Sequence, residues 1–163
     1  MEPRSGILII SAILGLTSIA TGAPTLFLVP LDGAQEAPGP GDPDGAGTAL
    51  LAIDPDTLTI DWNIAVNRID FPLTGAHIHE APVGVPGPIV VDFSAQLTGA
   101  GVQDPDLANV LASPTDFYVN VHNQPFPAGA IRGQLGAPIP DPSTLTLVAI
   151  GLVSLGLSRR RRP

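Results

Sequence analysis

Imidazole is the side chain in this sequence best suited to hold a metal ion, and the chain carries three. His77 and His79 stand as His-x-His in GAHIHEAPVGVPGPIVVDF (Gly75–Phe93), and His122 ends FYVNVH (Phe117–His122). Neutral imidazole nitrogens ligate copper and zinc, and three of them leave a coordination position open, as in catalytic or redox sites. Side chains alternate faces along a strand, so His77 and His79 would share one face about 7 Å apart while Ile78 points into the core. If Val119 and Val121 are core, then Tyr118, Asn120 and His122 take the outer face, and the three rings meet if the two strands are neighbours. Glu80 and Asn120 would then stand behind the ligands wherever loops bring them close. An ordinary sheet also carries histidines on its wet face, each bonded to a nearby loop, and spacing alone leaves both readings open.

Other chemistry has less to build on. Thiolate ligands and disulfides are excluded, because the chain has no cysteine. The helical zinc-protease motif needs a second histidine where Val83 stands. No G-x-S-x-G elbow and no phosphate-binding glycine loop occurs. With one Trp and one Tyr, there is little from which to build an aromatic sugar platform, and Trp62 lies on an inward register. An enzyme is therefore not expected.

The elements that must position the histidines read as strands. Leu58, Ile60, Trp62, Ile64 and Val66 alternate with polar or small residues over Thr57–Val66, the period of a half-buried strand. Ala46–Ile53 precedes it across Asp54-Pro55-Asp56, which predicts a hairpin. Leu26–Leu31, Gly75–His79, Pro88–Phe93, Phe117–His122 and Ala130–Leu135 complete about seven short strands. Turns rich in Gly, Pro and Asp between them predict an all-β antiparallel sandwich or barrel. Asp-Pro-Asp recurs at 42–44, 54–56 and 104–106 without the ligand spacing of a calcium loop, so all three read as turns. The last of these predicts a short helix with Asp104 at its N-cap and Pro105 in its first position, with Leu107, Val110 and Leu111 toward the core. Gly39–Gly47 reads as a flexible loop.

The two ends have a different character. Arg4 precedes an apolar run over residues 6–20, with small residues at Ser18 and Ala20 near its end and at Gly22 and Ala23 just beyond. This is the layout of a signal peptide over 1–23, best cut after Ala20. Its run falls short of the roughly 20 residues of a spanning helix. At the other end, Pro140-Asp141-Pro142 is followed by an apolar stretch, Leu145–Leu157, and then Arg159–Arg162. By charge and hydropathy that is a short apolar helix held with its arginines on the cytoplasmic side. Between them, residues 24–139 hold thirteen acidic residues against Arg68 and Arg132, a net charge of −11. So acidic a body repels nucleic acid and anionic membrane, which limits membrane contact to the terminal segments.

Three resemblances bear on this reading. Residues 139–163 resemble the PEP-CTERM sorting signal of exopolysaccharide-producing bacteria, with Asp141 where Glu is usual. That implies recognition by an exosortase-type enzyme through 140–163 and removal of the tail. Three stretches of the body, LDGAQEAPGPGDPDGAGTALLAIDPDTLTIDWNIAV, GAHIHEAPVGVPGPIVVDF and FYVNVHNQPFPAGAIRGQL, resemble the CHRD domain first described in chordin. The family's usual glycine after H-I-H is Glu80 here. This resemblance covers about Leu31–Leu135. It implies an immunoglobulin-like β-sandwich with a binding or structural role, and it groups His77, His79 and His122 with Arg132. Arg132 would then pair with a carboxylate or stack beside Tyr118 on the outer face. GAHIHE is also similar to the copper-binding strand of copper–zinc superoxide dismutases, although three histidines are too few for that two-metal centre.

The sequence thus predicts a signal peptide (1–23), a CHRD-like sandwich (24–138) with one short helix, and a sorting tail (139–163). The protein would be exported across the inner membrane, held briefly by its tail, and then left at the cell surface or outside, contacting exopolysaccharide or another surface protein. The rival role is binding of copper or zinc by His77, His79 and His122, with Glu80, Tyr118, Asn120 and Arg132 as a supporting polar cluster.

Overall fold

The computed structural model describes residues 22–140. The expected signal helix and apolar tail helix fall almost entirely outside these residues. Among the described residues no helix is long and apolar enough to cross a membrane. The strands are β1 (Thr25–Asp32), β2 (Ala46–Asp54), β3 (Thr59–Asn67), β4 (Leu73–Glu80), β5 (Ile89–Asp92), β6 (Thr98–Gln103), β7 (Phe117–Asn123) and β8 (Ile131–Gln134), with helix α1 (Leu107–Ala112) between β6 and β7.

All eight strands hydrogen-bond into one antiparallel sheet in the order β5-β4-β7-β8-β1-β2-β3-β6. The expected seven strands become eight because β6, TGAGVQ, has almost no inward apolar residue to announce it. Gly99 serves instead to let the Trp62 ring lie against β6, since a Cβ there would overlap it. The expected two-sheet arrangement also changes. The four strands β5-β4-β7-β8 and the four strands β1-β2-β3-β6 are joined where β1 meets β8, at the single paired position Asp32↔Arg132.

The sheet must curl strongly. β3 and the β5 edge lie six strands apart, roughly 28 Å in a flat sheet. Yet Trp62 of β3 stacks on Phe93, just past β5, with ring centroids 4.4 Å apart. One core fills the concavity: Phe27, Val29, Leu51, Ile53, Ile60 and Ile64 from one half, Ile78, Val91, Val119, Val121 and Ile131 from the other. Ile78, Val119 and Val121 are fully buried, so the inward register expected for β4 and β7 is the one adopted.

The turns follow local chemistry. Each Asp-Pro-Asp closes on its first carboxylate: Asp42 Oδ1 accepts from the Asp44 N–H at 3.3 Å, Asp54 Oδ1 from the Asp56 N–H at 2.8 Å, and Asp104 Oδ1 from the Asp106 N–H at 2.9 Å. Such Asx turns are what aspartate does before a sharp bend. The third displaces the helix start: Asp104 spends its carboxylate on the turn, Asp106 takes the N-cap position, and α1 begins at Leu107. Leu107 and Val110 are buried as expected, and Leu111 packs partly against the core. The Gly39–Gly47 segment is docked rather than loose. Asp42 donates its N–H to Ala130 O at 2.8 Å, Gly41 donates to Gly33 O at 2.9 Å, and Asp42 is buried.

Candidate metal centre

β4 and β7 are neighbours, with His77 opposite Asn120, His79 opposite Tyr118 and Gly75 opposite His122. This register brings the three histidines to one spot. Ring centroids are 5.5 Å apart for His77–His79, 5.1 Å for His77–His122 and 5.9 Å for His79–His122. One nitrogen from each ring lies within 4.8 Å of the others. Gly75 makes the convergence possible, because a Cβ there would press on the His77 ring at 2.5 Å and on His122 at 3.3 Å.

The site is not the open solvent face that the alternation suggests. His79 is buried and the other two rings are only partly exposed. Loops fold over the outer side of β7 and supply hydrogen-bond partners. His79 Nδ1 lies 2.9 Å from Gly87 O, and His122 Nδ1 lies 3.2 Å from Pro127 O. A carbonyl accepts only, so both Nδ1 atoms carry the proton and both Nε2 atoms are left as lone pairs. His77 is arranged the other way round: its Nε2 lies 3.5 Å from Asp92 Oδ1. The remaining nitrogens, His77 Nδ1, His79 Nε2 and His122 Nε2, are buried with no hydrogen-bond partner among the described residues.

That pattern has energetic and chemical meaning. A buried polar atom without a partner costs about 1–3 kcal/mol, so three together are expensive unless something fills the gap. One nitrogen given to an oxygen and the other left as a bare lone pair is how metal-bound imidazoles are held. With metal–nitrogen bonds of about 2.0–2.1 Å, tetrahedral ligation needs nitrogens roughly 3.4 Å apart, so small ring rotations would close the set. Burial lowers all three imidazole pKa values. For His122 it reaches about 4, with the Pro127 carbonyl opposing and the other two rings adding to the shift. The rings are therefore neutral at pH 7, the form that ligates.

Of the expected supporting residues, Tyr118, Asn120 and Arg132 are present and Glu80 is not. The Tyr118 ring stacks with His79 at 4.9 Å, and the Arg132 guanidinium lies 3.4 Å from the same ring's centroid. The stacking expected for Arg132 is thus found, but neither its exposure nor a carboxylate pairing is. It is 1% exposed and donates to Val85 O at 2.8 Å, Pro82 O at 3.0 Å and Gln134 Oε1 at 3.1 Å. Arg132 therefore fastens the Ala81–Pro88 loop over the sheet. Gln134 helps from the same strand, donating to Ala81 O at 2.8 Å. The Gly87 N–H donates to the Tyr118 hydroxyl at 3.1 Å, so the carbonyl that orients His79 is itself held in place. Glu80 is exposed at the end of β4, on the parity of Ile78, and lines a shallow cleft with Asn109 and Asp116. Alternation sends it away from the histidines.

Two residues of the site carry no local signal in the sequence. Glu36, from the loop after β1, accepts from Asn120 Nδ2 at 3.4 Å while its Oε1 has no partner. Desolvation raises its pKa to about 7 against the opposing pull of Arg132. Its carboxylate packs on Gly129, where φ is +145° and any Cβ would overlap it. Asp92 faces His77 because the two are in register across β4 and β5, but a bulge between Ile78 and His79 hides that register from residue counting.

No curated protein and no solved structure matches this chain. One family does, the CHRD domain, over residues 27–135, which takes in every strand from the start of the β1 core register through β8 and all the residues of the site. By that match the chain belongs to the CHRD domain family.

Proposed function

We propose that the protein is an exported, non-enzymatic binding module that holds one copper or zinc ion between His77, His79 and His122. A CHRD domain points in broad terms to a binding or structural role. The observation that carries the metal reading is the set of three buried imidazole nitrogens without partners, each on a ring whose other nitrogen faces an oxygen. The donor set is all nitrogen, which suits zinc and copper rather than calcium or magnesium. Export rests on the layout of residues 1–23, and retention followed by release at the surface rests on 139–163, read by an exosortase-type enzyme. The acidic body keeps the module soluble outside the cell, where exopolysaccharide or a surface protein is the neighbour it would meet.

The test is elemental analysis and calorimetric titration of the mature protein. One equivalent of copper or zinc is expected, raising stability by about 2.7 kcal/mol at a hundredfold excess over Kd. His79→Ala should lose uptake while its far-ultraviolet circular dichroism stays that of a folded sheet. A folded wild-type protein that takes up neither ion overturns the reading. N-terminal sequencing of the exported form should begin at Thr21.

A further inference from the structure

The three rings are not held alike. His79 and His122 are set by backbone carbonyls on loops, at 2.9 and 3.2 Å, and each turns Nε2 toward the gap. His77 presents Nδ1 instead, and no carbonyl fixes it; the oxygen facing its other nitrogen belongs to a side chain, Asp92. Asp92 is itself built into place. Its Oδ1 accepts from the Ser94 N–H at 2.6 Å, in a turn where Ser94 and Ala95 both take left-handed backbone, with φ of 52° and 58°. Phe93, between Asp92 and Ser94, is locked in the core by its stack on Trp62 and donates its N–H to Ala76 O at 2.9 Å. Non-glycine residues take positive φ only where surroundings hold them there, so this turn is a specified one.

We propose that Asp92 is the positioning residue that makes His77 a ligand, holding the proton on Nε2 so that Nδ1 presents its lone pair, and that its charge offsets that of the ion among three neutral imidazoles. This rests on the metal reading above. Without Asp92, no acceptor reinforces the Nε2–H tautomer of His77, and the neutral ring would carry its proton on Nδ1 for a larger part of the time, where it blocks the metal. Partners of this kind typically change metal affinity 10–100-fold.

The experiment separates this claim from the metal reading. Long-range nitrogen–proton correlation spectra of the metal-free protein report the His77 tautomer directly. The Nε2–H form is expected in the wild type, a shift toward Nδ1–H in Asp92→Ala, and recovery in Asp92→Glu. Zinc titration of the same proteins should show a 10–100-fold loss for Asp92→Ala, partial rescue by Asp92→Glu, and wild-type affinity for the surface control Glu80→Gln. Asp92 is largely exposed, so its variants should fold, which near-ultraviolet circular dichroism verifies. An unchanged His77 tautomer in Asp92→Ala, or unchanged zinc affinity, overturns the proposal. A wild-type protein that binds no zinc defeats the metal reading, and the tautomer spectra still decide what Asp92 does to His77.

Discussion

β3 and β7 show the same alternation in sequence and meet opposite fates. In β3, Ile60, Trp62 and Ile64 enter the core while Asp61, Asn63 and Ala65 face water. In β7, Val119 and Val121 enter the same core, but Tyr118 and Asn120 on the other side are buried as well, and His122 is half-buried. The difference lies in what covers the outer side. Over β7 lie the Ala81–Pro88 loop, fastened by Arg132 and Gln134, and the loops that carry Glu36 and Pro127. Alternation reports which residues share a face. Whether that face is wet depends on loops that the alternation does not describe.

Arg132 gives the strongest way to break the contrast. Arg132→Ala removes two hydrogen bonds to the loop, one to Gln134 and the stack on Tyr118, and should cost about 3–4 kcal/mol in denaturant unfolding. If its cost resembled that of a surface change, the outer side of β7 would be no better built than that of β3.

The covered side of β7 also responds to pH. The folded-state pKa of His122 is depressed from 6.5 to about 4. The unfolded chain therefore gains the proton first as pH falls. The stability contributed by His122 is full above pH 6.5, declines below it, and levels off near pH 4. After allowance for partial exposure, His122 should account for a loss of about 1–2 kcal/mol between pH 7.5 and 5.0 in the metal-free protein, read as the difference in pH dependence between wild type and His122→Gln. Equal slopes in the two proteins would mean that His122 is solvated after all.

Glu36 has the opposite sign. Its folded-state pKa is raised from 4.5 to about 7. Its ionisation opposes folding increasingly between those values and fully above pH 7. Glu36→Gln should therefore gain about 1–2 kcal/mol relative to wild type on going from pH 4.5 to pH 8, as read by thermal melts across that range. A pH-independent difference would show that burial does not perturb this carboxylate. The smallest effect belongs to β3: Asn63→Ala should change stability by less than about 0.5 kcal/mol. A larger loss would show that the outer side of β3 is also covered.

The hairpin of β2 and β3 was legible because both its strands and its turn carry local signals. Leu51 and Trp62, then Ala49 and Ile64, face each other across a turn closed by Asp54. β6 was hidden because TGAGVQ buries almost nothing and pairs only as an edge. The candidate site was legible in part. The parity of His77, His79, Tyr118, Asn120 and His122 follows from period-two geometry. Glu80 adjoins His79 in sequence but shares the parity of Ile78, which turns it away from the rings. Glu36 and Asp92 could not be found, since each reaches the site through a loop docking or a bulged register.

An all-β body, its acidic charge and the residues that share a side of each strand can be read directly from the chain. These depend on composition and on the alternation of side chains, which are local properties. Tertiary structure alone decided that β4 lies beside β7, that three imidazoles converge over Gly75, and that loops bury them with their lone pairs unpartnered. Those outcomes depend on contacts between segments tens of residues apart, and such contacts are fixed by how one curled sheet closes around a single core.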